Sequence, residues 1–178
     1  MAAVNERVIR RSNALLGYPW GREFRCREVI PTGDGIGGAA AAGAVAAGLG
    51  VGTTALRSDL LRRGLRRFVF PDPGTGPTQA EMDAGHFTVR VIGRGTATDG
   101  PFTVVSEIGA DRDPGYGATS QMLGEAAMCL LRGETDTQLD GGILTPASGI
   151  GDPLGDRLRT VGFTVAVNEW SQGGSRSV

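Results

Sequence analysis

The chain contains no lysine: all 18 of its basic residues are arginine. That absence excludes Schiff-base catalysis, pyridoxal chemistry and the lysine-dependent phosphate loop, each of which needs an ammonium group. Histidine is almost as scarce, with His86 alone, and only Cys26 and Cys129 stand beside it. A Cys/His zinc site therefore has too few ligands; carboxylates leave a hard cation formally open, and no metal is expected. A Ser-His-Asp or Cys-His centre would rest entirely on His86, which reads as a strand-edge residue, and no nucleophile sits in an elbow sequence. Two cysteines in 178 residues make no disulfide framework, and both read as small buried apolar residues. Net charge is −1, so no bulk field draws in nucleic acid or an anionic membrane, and no nucleic-acid partner is expected. The charged N-terminal residues do not resemble a signal peptide, and a cytoplasmic location follows, with membrane association only through a lipid substrate.

Glycine, at 30 residues, is what the chain has in abundance, more than twice the usual share of roughly 7%. Many turns and close backbone approaches are implied. Asn5 is placed to cap a first helix carrying Val8, Ile9, Leu15 and Leu16, which ends near Gly17. Phe24–Ile30 reads as a strand with one charged face. Gly35 to Leu56 carries no charge at all. That length matches a membrane span, but glycine and alanine dominate and supply little transfer energy, so a tightly packed buried helix is the expectation. An apolar wall for a lipid-like ligand is the alternative.

Arg62/Arg66 and Arg63/Arg67 then fall four apart on one predicted helical face, either simply solvated or docking an acidic partner. Thr78 and Glu81 form a capping box for a short helix reaching Ala84. Alternation over Phe87–Ile92 and Phe102–Ile108, with a glycine-bearing loop from Gly93 to Gly100, predicts an antiparallel hairpin. Asp113-Pro114 predicts a helix start, followed by an apolar face of Met122, Leu123, Ala126, Ala127, Leu130 and Leu131. Gly142–Thr145 reads as a short strand, Asp152-Pro153 as a second helix start ending at Gly162, and Phe163–Val167 as the closing strand. The fold class is α+β: a mixed, mostly antiparallel sheet with helices mainly on one face. Residues 1–170 read as a single domain of substrate or oligomerisation type, and residues 171–178 as a flexible tail.

Gly33-Asp34-Gly35-Ile36-Gly37-Gly38 matches the G-x-G-x-x-G turn that cradles a dinucleotide pyrophosphate, with Gly33, Gly35 and Gly38 as the cofactor-binding candidates. Its surroundings fit that role badly. The preceding Arg25-Cys26-Arg27-Glu28 is too charged for a central parallel strand. Asp59 has the spacing of a ribose-binding acid but lies in a helical, arginine-rich stretch, and Asp72 comes too late. The run reads as a turn into a close-packed helix, with a small dinucleotide-binding protein as an alternative.

Taken in order, Arg11-Ser12-Asn13-Ala14-Leu15-Leu16-Gly17, Phe24-Arg25-Cys26-Arg27-Glu28, Pro71 to Pro77, Asp113-Pro114-Gly115-Tyr116-Gly117-Ala118-Thr119 and Gly142-Ile143-Leu144-Thr145-Pro146-Ala147 resemble the C-terminal half of saccharopine dehydrogenase-like oxidoreductases. Within that family the mycobacterial trans-acting enoyl reductases are similar. The resemblance implies the second domain of a two-domain enzyme, on the substrate and oligomer side, and a Rossmann-type cofactor domain absent from this chain or carried on a separate one. It implies NADPH for the intact enzyme and none bound by this chain alone, hydride transfer to an enoyl group of a polyketide or lipid precursor, and homo-oligomerisation. An acyl carrier protein meeting Arg62, Arg63, Arg66 and Arg67 is a further implied partner.

No catalytic residue carries over from the family. The turn holding Asp113, Gly115, Tyr116 and Thr119 is the substrate-binding candidate on its own chemistry, since free amides at a helix N-terminus favour an anionic or carbonyl oxygen. Tyr116 is the one candidate proton donor, although a phenol near its ordinary pKa of about 10 needs activation. A non-catalytic module binding lipid or a carrier protein stands as the alternative function.

Overall fold

The computed structural model describes residues 2–59, 63, 74–98, 100–171 and 174–177. The chain groups into two units: Met1–Glu6 with Arg27–Gly76, and Arg7–Cys26 with Pro77–Val178. Helix α1, Ala2–Leu15, contributes to both.

The first unit is dominated by α2, Gly35–Arg57. Phe24–Ile30 forms no strand. Glu28 is held instead by α1: its amide donates to Glu6 Oε1 at 3.0 Å, and Asn5 Nδ2 donates to Glu28 Oε2 at 2.6 Å. Asn5 therefore does not cap α1, which begins at Ala2. The expectation of a close-packed α2 is overturned as well, because only 6% of its apolar stretch Gly35–Ala55 is buried. Small side chains permit close packing, but among the described residues no element of its own unit covers it.

The second unit holds the sheet. Alternation delivers β1, Phe87–Ala97, and β2, Gly100–Ala110, as an antiparallel hairpin with Phe87 opposite Ala110 and Val91 opposite Ser106. The strands run closer to the turn than the expected Gly93–Gly100 loop, because Arg94 to Ala97 pair with Gly100 to Thr103. Strand β3, Thr164–Ser171, pairs antiparallel with β2, and β4, Gly174–Ser177, pairs with β3, giving the order β1-β2-β3-β4. The described residues thus form an α+β fold with an antiparallel sheet and six helices.

Short helix α3, Gln79–Ala84, starts on the expected capping box: the Glu81 amide donates to Thr78 Oγ1 while the Thr78 amide donates to Glu81 Oε2 at 2.7 Å. Hydrogen bonding to Thr78 holds the Glu81 carboxyl below its usual range. Helix α4, Gly117–Arg132, ends at Gly133 in a left-handed C-cap. Helix α5 is Pro146–Gly149, and α6 is Asp152–Thr160. Gly142–Thr145 is therefore no strand; Thr145 is the N-cap of α5.

The core lies where α4 and α6 meet one end of the sheet. Ala118, Leu158 and Phe163 are buried, with Phe87, Ala110, Met122 and Val165 packed around them. The rings of Phe87 and Phe163 meet edge to face at 6.4 Å. Burial of Leu158 and Phe163 contributes roughly 2–3 kcal/mol each. Arg157 on α6 ties down α4 by donating through Nε to Glu125 at 2.8 Å and through Nη1 to Glu134 at 3.0 Å.

That cover is incomplete. Val89, Val91 and Val167 follow Phe87 and Val165 along the same sheet face, yet all three stay about half exposed. On α4 the expected apolar face divides: Met122 packs against the core, while Leu123, Leu130 and Leu131 are exposed; Cys129, outside that expected face, is buried.

Candidate functional site

The turn before α4 keeps its amides for itself. Asp113 Oδ2 accepts from the Tyr116 amide at 2.6 Å and the Gly117 amide at 3.2 Å, and the Ala118 amide donates to the Asp113 carbonyl at 2.7 Å. The helix consequently begins at Gly117 and not at Asp113-Pro114. The Tyr116 amide, followed by those of Gly117 and Gly115, holds the Asp113 carboxyl below its usual range. A substrate oxygen would have to displace that carboxylate. Thr119 Oγ1 donates to the Pro114 carbonyl at 2.6 Å, so this hydroxyl also serves the turn. Gly115 sits against the Asp113 carboxylate, and the Tyr116 ring is exposed. The four candidates Asp113, Gly115, Tyr116 and Thr119 are brought together as a self-satisfied cap.

The glycine-rich turn is closed in a similar way. Gly33 and Gly35 take positive φ values of 85° and 71°, which glycine allows without strain. A side chain at Gly38 would run into the carbonyl of Gly33. The third glycine thus makes room for the chain's own backbone. No strand precedes this turn, and its tip carries Asp34, whose charge repels phosphate. These residues do not fit a dinucleotide pyrophosphate, so Gly33, Gly35 and Gly38 read as a structural helix start. Of the arginine candidates, Arg63 is exposed, and Arg62, Arg66 and Arg67 lie outside the described residues. His86 is exposed directly before β1. No cluster of three or more potential metal-binding side chains exists among the described residues.

A second site gathers residues far apart in sequence. Ser12 near the end of α1 is 4% exposed, and its Oγ lies 2.7 Å from Thr145 Oγ1. Thr145 Oγ1 lies 3.0 Å from the Oγ of Ser148, which is 1% exposed. Thr145 and Ser148 complete a reciprocal cap: the Thr145 amide donates to Ser148 Oγ at 3.0 Å, and the Ser148 amide returns to Thr145 Oγ1 at 3.3 Å. Next to Ser12, the buried Asn13 donates through Nδ2 to the Gly21 carbonyl at 2.8 Å and accepts from the Trp20 amide at 3.1 Å. Within that braced loop, Tyr18 takes a positive φ of 65° and lies beneath the Arg22 guanidinium at 4.3 Å. One pair of buried residues thus fastens α1 to α5 on one side and shapes the 18–24 loop on the other.

Beside this junction opens a cleft of about 340 Å³, lined by Leu15, Leu16, Asp136, Thr137, Ala147 and Ser148 among others. Its volume lies at the lower end of the range for small-molecule sites, roughly 300–1,000 Å³. Leu15, Leu16 and Ala147 supply apolar wall, while Asp136 and Thr137 supply polar edge. Asp136 is fixed by its own amide donating to the Ile150 carbonyl at 2.9 Å and by Oδ2 accepting from the Asp152 amide at 3.2 Å. Thr137 Oγ1 donates to the Ser148 carbonyl at 2.8 Å. The lining contains two aspartates and no arginine. Such a cleft favours an apolar, uncharged chain over a phosphate.

Sequence reasoning did not single out Ser12, Asn13, Asp136 and Ser148, which this junction and cleft bring forward as candidates. The available signal was Thr145-Pro146-Ala147-Ser148, a cap residue followed by proline at the first helical position. Cys129 is not an activated nucleophile in this arrangement, because burial raises its thiol above its usual range, and the two cysteines form no disulfide.

No family model matches the chain, and no solved structure matches it. Similarity to curated proteins is extensive. A Mycobacterium tuberculosis protein whose name gives trans-acting enoyl reductase in provisional form is 36% identical over 168 residues, which cover 93% of this chain and 39% of that protein. The trans-acting enoyl reductase of Mycobacterium ulcerans is 35% identical over 166 residues, 91% of this chain and 38% of its own. That of Mycobacterium bovis is 32% identical over 174 residues, 96% of this chain and 40% of its own. The chain thus spans about two fifths of the length of the curated relatives it matches.

Proposed function

We propose that this chain is the substrate-side and assembly domain of an enoyl reductase of the saccharopine dehydrogenase-like kind. In this reading the cleft beside Leu15, Leu16 and Ala147 holds the apolar chain of a polyketide or lipid precursor. The observation that carries it is the contact of Ser12 with Thr145, 133 residues apart in sequence, beside the cleft that Leu15, Leu16, Ala147 and Ser148 line. NADPH belongs to a Rossmann-type partner domain in this proposal, because the glycine turn is filled by its own backbone and the cleft lining carries no cation. The open sheet face at Val89, Val91 and Val167 supports docking of such a partner or of a second copy.

Calorimetric titration of the chain with a medium-chain trans-2-enoyl thioester of pantetheine tests the cleft. Binding is expected for the wild type and is expected to be lost in Ala147→Trp, which fills the cleft. Equal heats for the two proteins would rule out this site.

A further inference from the structure

Helix α2 has no charged residue before Arg57, and Ile36, Leu49 and Val51 on it are exposed. Its 23 residues make a rod about 34 Å long at 1.5 Å per residue, close to the roughly 30 Å of bilayer hydrocarbon. A helix apolar on all sides is stable inside protein or inside lipid, and only 6% of its apolar stretch is covered here. Its polar side chains are provided for: Thr53 and Thr54 both donate to the Gly50 carbonyl, at 3.0 and 2.8 Å. They can enter hydrocarbon without an unpaired donor. The sequence then supplies Arg57, Arg62, Arg63, Arg66 and Arg67 against one acid, Asp59. The net charge of −1 does not cancel this cluster, since screening limits a surface charge to about 10 Å.

The topology says how such a helix can enter a membrane. Residues on both sides of the first unit, Arg7–Cys26 and Pro77–Val178, fold together, and Ser12 contacts Thr145 at 2.7 Å. Both flanks therefore stand on one side of any bilayer. A single crossing by α2 would oblige the segment from Ser58 to Gly76 to return through hydrocarbon with Arg62, Arg63, Arg66 and Arg67, which lipid resists strongly. We propose that α2 is a monotopic membrane element. It lies in one leaflet at the boundary between headgroups and acyl chains, and the arginines after it bind anionic lipid headgroups. This inference goes beyond the reductase reading and stands on α2 and the arginines alone.

The test is flotation of the full 178-residue chain with vesicles of phosphatidylcholine, with and without phosphatidylglycerol. The chain is expected to float with the anionic vesicles and to be released by high salt. Leu49→Asp combined with Val51→Asp is expected to abolish flotation. Arg62→Gln combined with Arg66→Gln is expected to lower partitioning onto anionic vesicles about 30-fold. Trp20 and Trp170 both belong to the second unit, so an unchanged fluorescence melt certifies the fold of that unit, and unchanged helical ellipticity at 222 nm certifies α2 in the variants. The proposal is overturned if the wild type stays in the aqueous fraction, or if the double-aspartate variant floats equally well. Arginine-dependent capture of an acyl carrier protein without vesicle binding overturns it in favour of a protein dock.

Discussion

Replacing Ser148 by alanine probes the junction between α1 and α5 with almost no change in volume. Ser148 Oγ accepts from the Thr145 amide at 3.0 Å and shares a hydrogen bond with Thr145 Oγ1 at 3.0 Å, at a position only 1% exposed. Two lost hydrogen bonds cost about 1 kcal/mol each, and the amide left without an acceptor adds up to about 1 more, so Ser148→Ala is expected to cost about 2–3 kcal/mol. Ser12→Ala removes the 2.7 Å contact to the same Thr145 hydroxyl, a cost of about 1–2 kcal/mol. In either single variant the Thr145 hydroxyl keeps one side-chain partner; in the double variant it keeps neither. The double variant is therefore expected to exceed the sum of the singles by about 1 kcal/mol. Urea unfolding followed by tryptophan fluorescence measures this, because both tryptophans lie in the second unit. For a unit of about 120 residues, Ser148→Ala should lower the melting temperature by about 10 °C. A cost below about 0.5 kcal/mol, or strict additivity with Ser12→Ala, would refute the idea of a shared hydroxyl network.

Phe163→Ala empties the centre of the core beneath Phe87 and should cost about 3–4 kcal/mol, read by the same unfolding curve. Gly38→Ala brings a methyl group against the Gly33 carbonyl, so the first turn of α2 should fray, seen as reduced helical ellipticity and faster exchange of the first α2 amides. Asp113 has a lowered folded-state pKa, so its contribution is complete above the ordinary carboxylate value of about 4 and is lost as pH falls through the lower folded value. Asp113→Asn should therefore flatten the acid limb of the stability profile, and an unchanged limb would exclude the cap as its source.

The hairpin and the Thr78 capping box were legible in the sequence because period-two alternation and a cap with its Glu three residues on are local rules. Helix α6 was legible for a similar reason, from Asp152-Pro153 to Gly162. The same local rules misplaced the start of α4: Asp113-Pro114 suits a helix N-terminus, but the Asp113 carboxylate caps the amides of Tyr116 and Gly117, one turn later. Ile143-Leu144-Thr145 carries β-type side chains, yet the reciprocal bonds between Thr145 and Ser148 win and start α5. Phe24–Ile30 alternates without a partner strand, and its Glu28 is drawn to Asn5 and Glu6. For α2, composition correctly marked the helix but wrongly implied a close-packed surrounding, because small side chains allow such packing without supplying a partner. At the site, the Asp113 turn was visible as a motif, whereas the junction of Ser12 with Thr145 exists only through the fold.

Reconstitution tests the central claim most directly. The chain is mixed with the part of the Mycobacterium tuberculosis relative that it does not match, which the proposal takes as the cofactor side, and reduction of a trans-2-enoyl thioester is followed by loss of NADPH absorbance. Turnover is predicted for the mixture and not for either protein alone, with Ala147→Trp suppressing it. Turnover by this chain unaided, or a mixture of two folded proteins that remains inert, would contradict the account.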